Sequence, residues 1–486
     1  MNRVFRETVR FELAYYGSRI STWVYFGIFL GLSVLLIGLF GGAFPNAQAG
    51  IMGSGGNVHV NSPWVITLVT GIMSLFGVLV TAALLGNAVF RDFETGMHPL
   101  FYTAPITRAS YLGGRFVGAL LVNALVFLGM PLGLMLGSVM PYLDRARFGA
   151  VIPWAYLHPY LLVVLPNLVF TGAIFFALAA ATRQMLPNYV GGVVMLVGYL
   201  LANSLTQDLD TRHLAALADP FGLEAVDQAT KYWTPAEKNA LFVPLGGDFG
   251  MNRLIWIAVG LLIFAAVYAR FRFSHTAADR SRRTEAVPAA ARPQRLTLPA
   301  ADRHHGFGAH LSQLWMIARR SFSEIVGNRY FYAIAGAGLL FLVIAARETG
   351  KLYGTTTWPV TYGVLEALGG TFSLFMLIII TFYAGELVWR ERDVRIHQVT
   401  DATPVPNWVP LVGKFIALAA VVTVLQATIL VAGVLTQASK GYTNFELGLY
   451  ARSLFGMQLV DYLLMCAMVL MLWFFPGLAV WLPSKM

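Results

Sequence analysis

The run Trp23–Phe40 contains no charged residue, and apolar runs of comparable length recur along the chain. About 20 apolar residues are needed to cross the hydrocarbon of a bilayer. Such a run constrains the fold more than any motif does, because in lipid every backbone polar group must be paired internally. Spans are expected at 23–40, 64–89, 112–140, 157–181, 189–205 and 254–268. After a polar interval they resume at 330–344, 362–387, 411–435 and 454–474. The fold class is therefore an all-α polytopic membrane protein with about ten transmembrane helices. Composition agrees: 57% of residues are hydrophobic, 12% are charged, and the 47 glycines suit closely packed membrane helices. A cleaved signal peptide is disfavoured, since the first run is too long for a signal core and further spans follow.

One stretch occurs twice. Residues Gly86–Phe116 return as Gly385–Phe415, displaced by 299 positions. Arg91 falls on Arg390, His98 on His397, Pro105 on Pro404, Gly114 on Gly413 and Phe116 on Phe415, while Asp92 meets Glu391 and Arg115 meets Lys414. Each copy leaves one apolar run, crosses a short charged link and enters the next run. This register is the signature of a duplicated unit. The chain reads as two parallel repeats of six plus four spans, with the second half incomplete after its fourth. The expected domains are residues 1–273, with an external subdomain at 207–252, a flexible linker at 274–308, and a second half at 309–486. The chain end at Pro476–Pro483 does not resume the repeat, which suggests a truncated gene product.

Each half opens on an amphipathic stretch. In the first, Phe5, Val9, Leu13 and Tyr16 share a face and Arg3, Arg6 and Arg10 another, which is the pattern of a helix lying in the membrane surface. A second such helix is expected at 311–326. Basic residues set the orientation: Arg3, Arg6, Arg10, Arg19, Arg91, Arg108, Arg115, Arg183 and the run from Arg270 to Arg283 fall on one side, which the positive-inside rule makes cytoplasmic. The net charge of +10 is thereby explained by topology, without nucleic acid. The opposite loop at 207–252 is acidic, with a short helix expected at 235–241.

Proline disfavours helix in the residue before it and suits the start of the next element. Each link is thus expected to form a short helix ended by Pro105 or Pro404 and held between two spans, an arrangement able to transmit a push from a cytoplasmic protein. Among ionisable residues within spans, Glu366, Glu386 and Asp461 are candidate pathway groups, and Glu386 is also placed to pair with Arg390 four residues on. Asn87, Asn123, Asn167 and Asn203 are expected to make interhelical hydrogen bonds. His304, His305 and His310 have no carboxylate partners, so no metal site is expected. The single cysteine, Cys466, excludes an internal disulfide framework.

The arrangement resembles the permeases of ABC transporters of the ABC-2 type. The resemblance rests on Phe90-Arg91-Asp92-Phe93-Glu94-Thr95-Gly96 with Thr103-Ala104-Pro105-Ile106-Thr107-Arg108, and on Trp389-Arg390-Glu391-Arg392-Asp393 with Ala402-Thr403-Pro404-Val405-Pro406. The second copy lacks the Glu-Thr-Gly triplet, which makes the first the better candidate contact. The family implies a coupling helix docked on an ATPase subunit, with Arg91, Asp92, Glu94, His98, Pro105, Arg108, Arg390, Glu391, His397 and Pro404 as coupling residues. A narrower resemblance, carried by Gly55–Pro63 and the duplicated permease, is to the permease part of bacterial fusions with a zinc aminopeptidase. The chain has neither His-Glu-x-x-His nor G-x-x-x-x-G-K-[ST], so no catalytic residue or cofactor of its own is expected, and ATP would be hydrolysed by a cytoplasmic ABC ATPase subunit. The other expected partners are the bilayer and a second permease chain. The expected setting is the bacterial inner membrane, with the N-terminus cytoplasmic. A secondary transporter, or an anchor within a peptidase-fused protein without transport of its own, are the alternatives.

Overall fold

In a computed structural model the described residues are 3–43, 57–205, 212–271, 306–349, 351–352, 355–393, 405–474 and the single positions 396, 398, 402 and 403. They form two compact units, one of residues 3–271 and one of residues 306–474. Apart from a two-residue hairpin, β1 (Lys351–Leu352) with β2 (Thr355–Thr356), every element is helical.

The first unit begins with α1 (Arg3–Gly17) and α2 (Ile20–Phe40). Next come α3 (Pro63–Phe76) and α4 (Val78–Glu94), which meet at a 49° bend and are long and apolar enough for a span only as a pair. The Ser62 side chain caps α3 by accepting a hydrogen bond from the Val65 amide, with Pro63 in the first turn where its missing N–H costs nothing. The bend falls at Gly77, where a β-carbon would collide with the Phe127 ring and lie 3.2 Å from Phe29. After the link helix α5 (His98–Thr103) comes α6 (Ala109–Ser138), which opens on a π-helical turn. Gly129, Gly133 and Gly137 line one face of α6 against α2. A β-carbon at 129 would sit 2.6 Å from the Phe26 carbonyl oxygen, so only glycine permits this backbone approach. Helices α7 (Pro153–Thr182) and α8 (Leu186–Leu205) follow.

At the end of this unit away from the link, α9 (Arg212–Ala218), α10 (Leu223–Thr230) and α11 (Pro235–Ala240) form a cap. Val163, Ala216, Ala225, Val226, Val243 and Phe249 are its buried apolar core. α11 starts with a reciprocal capping box, Thr234 with Glu237, and these hydrogen bonds hold the Glu237 carboxyl below its ordinary pKa. The stretch before α3 is pinned to the cap: the His59 amide donates to Asn239 Oδ1 at 2.8 Å, and the Trp64 indole donates to Thr230 Oγ1 at 2.9 Å. The cap meets α12 (Gly247–Arg270) through Asn252, which donates to the Asp219 carbonyl at 2.8 Å and is held by Arg253, whose guanidinium donates to Asn252 Oδ1 at 2.9 Å and to Asn167 Oδ1 of α7 at 2.8 Å. Gly222, with φ of +74°, lets the cap turn close over that guanidinium. In the same turn Asp219 accepts from the amides of Phe221 and Glu224 at 2.8 and 2.7 Å. Burial nonetheless raises its pKa, against the pull of those amides and of Arg253.

The second unit consists of α13 (Phe307–Val326), α14 (Arg329–Glu348), α15 (Thr361–Asp393), α16 (Trp408–Ser439) and α17 (Leu447–Trp473), with the hairpin between α14 and α15. Buried Gln437 donates to the Pro359 carbonyl at 3.0 Å and accepts from the Tyr450 hydroxyl at 3.0 Å, which ties the far ends of α15, α16 and α17 together.

Eight helices among the described residues are long and apolar enough to cross a membrane, or nine if the bent pair α3–α4 is one span. The chain is an all-α polytopic membrane protein. Of the expected spans, the one at 189–205 is represented among the described residues by a shorter apolar helix, Leu186–Tyr199. Two further expectations change in detail. Leu13 is exposed, whereas Glu12 takes its place on the buried face of α1. α13 starts at Phe307, inside the expected linker, of which residues 274–305 lie outside the described residues.

Candidate functional site

Adjacent residues on a helix point about 100° apart, so the Arg91-Asp92 pair in the last turn of α4 addresses two neighbours at once. Arg91 faces α1: its Nη2 lies 2.7 Å from Oε1 of Glu12. Asp92 faces α6: both of its oxygens lie 2.7 Å from Nη2 of Arg115, and Oδ2 also accepts from the Tyr111 hydroxyl at 2.7 Å. Arg115 closes the circuit, since its Nη1 contacts the same Glu12 oxygen as Arg91. Two acids and two bases therefore balance inside the protein, with Glu12 0% and Arg115 3% exposed. Aromatic rings seal them: the Arg91 guanidinium carbon lies 3.9 Å from the Tyr15 ring centroid, and that of Arg115 lies 5.5 Å from Phe101. Tyr16, beside the cluster, donates to the Leu84 carbonyl at 2.9 Å, and burial pushes its phenol pKa up.

A buried pair of this kind is weak evidence of net stability, yet it is costly to break, by about 3–5 kcal/mol when one partner is removed. Its consequence is positional. The surface helix α1, the end of α4 and the start of α6 can pack in one register only. Gly114 and Gly118 make the approach possible, because β-carbons there would lie 2.7 Å from Thr8 and 2.6 Å from Glu12 side-chain atoms.

The second unit holds the same types of contact. Arg390 pairs with Glu324 of α13 at 3.3 Å, and Lys414 pairs with Glu391 at 3.0 Å. Gly413 admits α13, with a β-carbon placed 2.8 Å from Ile317. The difference is access to water: the Arg390 and Glu324 side chains are 49% and 30% exposed. Arg320, farther out on α13, adds a 3.1 Å contact to Glu324.

The expected coupling residues consequently separate into two groups. Arg91 and Asp92 are turned inward and hold the link, whereas Arg390 and Glu391 make the same ties while partly exposed. Glu94, Pro105 and Arg108 are exposed on the link. His98 is half-buried and stacks on Phe93 with ring centroids 5.0 Å apart. His397 and Pro404 lie outside the described residues. Sequence reasoning missed Glu12 and Glu324 as partners, although Glu12 falls on the stripe of Phe5, Val9 and Tyr16, where a lone acid is conspicuous. It also missed Leu100 of α5, 63% exposed.

The three candidate pathway carboxylates do not converge. Glu366 and Glu386 are on the same helix, about 30 Å apart at 1.5 Å per residue. Asp461 is exposed on α17, and Glu366 is exposed as well. Two of the asparagines do join helices: Asn123 donates to Thr81 at 3.0 Å and Asn167 to Ser74 at 3.1 Å. No group of three or more metal-ligating side chains is found among the described residues.

Residues 328–482, about a third of the chain, match a family model described as ABC-2 family transporter protein. No curated protein and no solved structure matches. The match covers α14 to α17 of the second unit and not α13, whereas the fuller sequence motif is in the first unit. Together with the eight to nine apolar helices, it supports a membrane permease of the ABC transporter class.

Proposed function

We propose that the chain is the membrane subunit of an ABC-2-type exporter, driven by ATP hydrolysis on a separate cytoplasmic ATPase. The ends of the units that bear the links face the cytoplasm of a bacterial inner membrane. The observation that carries this reading is the tie in each unit between an acid on the surface helix and the arginine at the end of the next-but-one span: Glu12 with Arg91, Glu324 with Arg390. A link fixed at both ends to packed helices passes on a displacement, whereas a slack loop absorbs it. Arg91 and Asp92 brace the link in this account. Leu100, Glu94 and Arg108 are the exposed surface a partner touches.

The secondary-transporter alternative gains one observation, the interrupted span at Gly77, because such transporters bind ions at broken helices. The groups around the break are neutral, however. Thr81 Oγ1 returns to the Gly77 carbonyl at 3.3 Å and Asn123 engages Thr81, which leaves no carboxylate to hold a coupling ion there.

Purification from native membranes tests the proposal. An ATPase is expected to co-purify, and Leu100→Glu with Glu94→Lys is expected to release it while the chain stays folded. Normal purification without any ATPase, or retention of the ATPase by the doubly substituted link, would count against docking at this site.

A further inference from the structure

In the first unit, the cap reaches past the loops around it toward the link. α2 holds 21 residues, about 30 Å of helix and so one hydrocarbon thickness, and its far end at Phe40 marks a boundary. The Gly41 carbonyl accepts from the Asp144 amide at 3.1 Å, and Asn61, just before α3, donates to the Gly149 carbonyl at 2.9 Å. The ends of α2 and α6 and the start of α3 thus share one level. From there α10 lies alongside α3. Its Thr230 Oγ1 takes the Trp64 indole N–H at 2.9 Å, and its Leu223 packs where a β-carbon on Gly71 would collide with it. Gly71 is eight residues from Pro63, about 12 Å of rise. On α7, Asn167 donates to the Phe221 carbonyl at 3.3 Å. It lies eleven residues, about 16 Å, past Tyr156, whose hydroxyl donates to Ser138 at the end of α6 at 2.9 Å. Two separate helices therefore put the turn Asp219–Gly222 about 12–16 Å inside the boundary, near the middle of the layer.

The chemistry of the turn suits that depth. Asn252 donates to the carbonyls of Leu217 and Asp219 at 3.3 and 2.8 Å, the Trp256 indole donates to the Leu217 carbonyl at 3.1 Å, and the Asp219 carboxylate takes two amides of its own turn. On an aqueous surface water would serve these groups, whereas irregular backbone at membrane depth persists only where protein pairs it. Asp219 and Arg253 are both buried. The outward face is the reverse. Leu214-Ala215-Ala216-Leu217-Ala218 carries no polar side chain, with Leu214 66% exposed and Ala218 exposed one turn on. His213, seated on Asp248 at 2.8 Å, brings Leu214 beside Met251 and Leu254, which begin the exposed apolar strip of α12. We propose that α9 and the turn into α10 re-enter the bilayer in the leaflet away from the link, with Leu214 and Ala218 against acyl chains and with Asp219 and Arg253 sealed on the inner side. Lipid is the occupant, because this face continues the exposed strip of a span and a short helix in water would show a polar face there. Neither the side of the membrane that bears the link nor any protein partner enters the reasoning.

The experiment places a nitroxide on the full chain in phospholipid nanodiscs through Leu214→Cys, Ala218→Cys, Tyr232→Cys or Leu261→Cys. All four positions are exposed, so the label leaves the packing intact, and Cys466 is buried and stays in place, with the chain lacking an added cysteine as background. Relaxation by oxygen, which concentrates in hydrocarbon, is compared with relaxation by an aqueous nickel chelate. Labels at 214 and 218 are expected to favour oxygen, as the label at 261 on α12 does, and more strongly at 218 than at 214. The label at 232, past the outer end of α10, is expected to favour nickel. Gly71→Leu, which removes the seat of Leu223, is expected to move the labels at 214 and 218 several-fold toward nickel and to leave that at 261 unchanged. Nickel relaxation at 214 and 218 equal to that at 232 overturns the proposal, since the cap then stands in water. Relaxation by neither reagent overturns it as well, because protein and not lipid then covers this face.

Discussion

Glu12→Gln is the sharpest perturbation, because it keeps the shape of the side chain and removes one charge from a sealed set of four. Arg91 and Arg115 would then face a neutral amide at 0% exposure, with only Asp92 to balance them. Breaking a buried pair in this way costs about 3–5 kcal/mol. At about 1.4 kcal/mol per tenfold, the local opening equilibrium of α1 should shift by roughly 10² to 10³·⁵. Glu324→Gln makes the same chemical change where the partners are 30% and 49% exposed; water and salt screen such a pair, whose loss costs about 0–1 kcal/mol, under roughly tenfold. Hydrogen exchange read on peptides covering Arg3–Gly17 and Phe307–Val326, with the protein in nanodiscs, separates the two. Protection of α1 should collapse in E12Q, while that of α13 changes little in E324Q. Equal small changes in both would refute the claim that burial turns the first cluster into a register lock.

Gly114→Val and Gly413→Val should each push the surface helix off its span, at a cost of about 1–3 kcal/mol from overpacking; loss of protection in α1 or α13, without change in the other unit, checks this. Gly77→Leu should collide with Phe127 and Phe29 and lower the thermal midpoint, and Phe127→Ala in the same chain should recover part of the loss. Arg253→Met strips the charged donors from Asn167 and Asn252 and should expose the cap to protease between residues 219 and 246 while the spans stay intact. Thr234→Ala removes the N-terminal capping oxygen of α11, a loss of about 1 kcal/mol confined to that helix and readable as local exchange.

Spans and surface helices were legible because lipid enforces them: a run such as 23–40 has few alternatives once its backbone must be paired internally. The repeat positions were legible as a pattern, but their chemistry was not. Arg91 and Asp92 looked like surface charges of a link, since a linear sequence does not show which neighbours fold over them. Glu12 looked like part of a polar face until α6 approached at Gly114 and Gly118. The contact of Arg390 with Glu324 has the same origin: it spans 66 positions, and only the packing of α13 creates it. Gly114 and Gly413, noted only as matching letters, turn out to be the crossing points of a surface helix in each unit.

The most direct test of the proposed function is a photo-crosslinking residue placed at Leu100, on the exposed side of α5, in native membranes. The account predicts one dominant adduct containing a protein with a G-x-x-x-x-G-K-[ST] motif, and its loss when Glu12→Gln frees the surface helix that braces the link. Adducts to lipid or to this chain alone, with full transport of cargo still measurable, would contradict it.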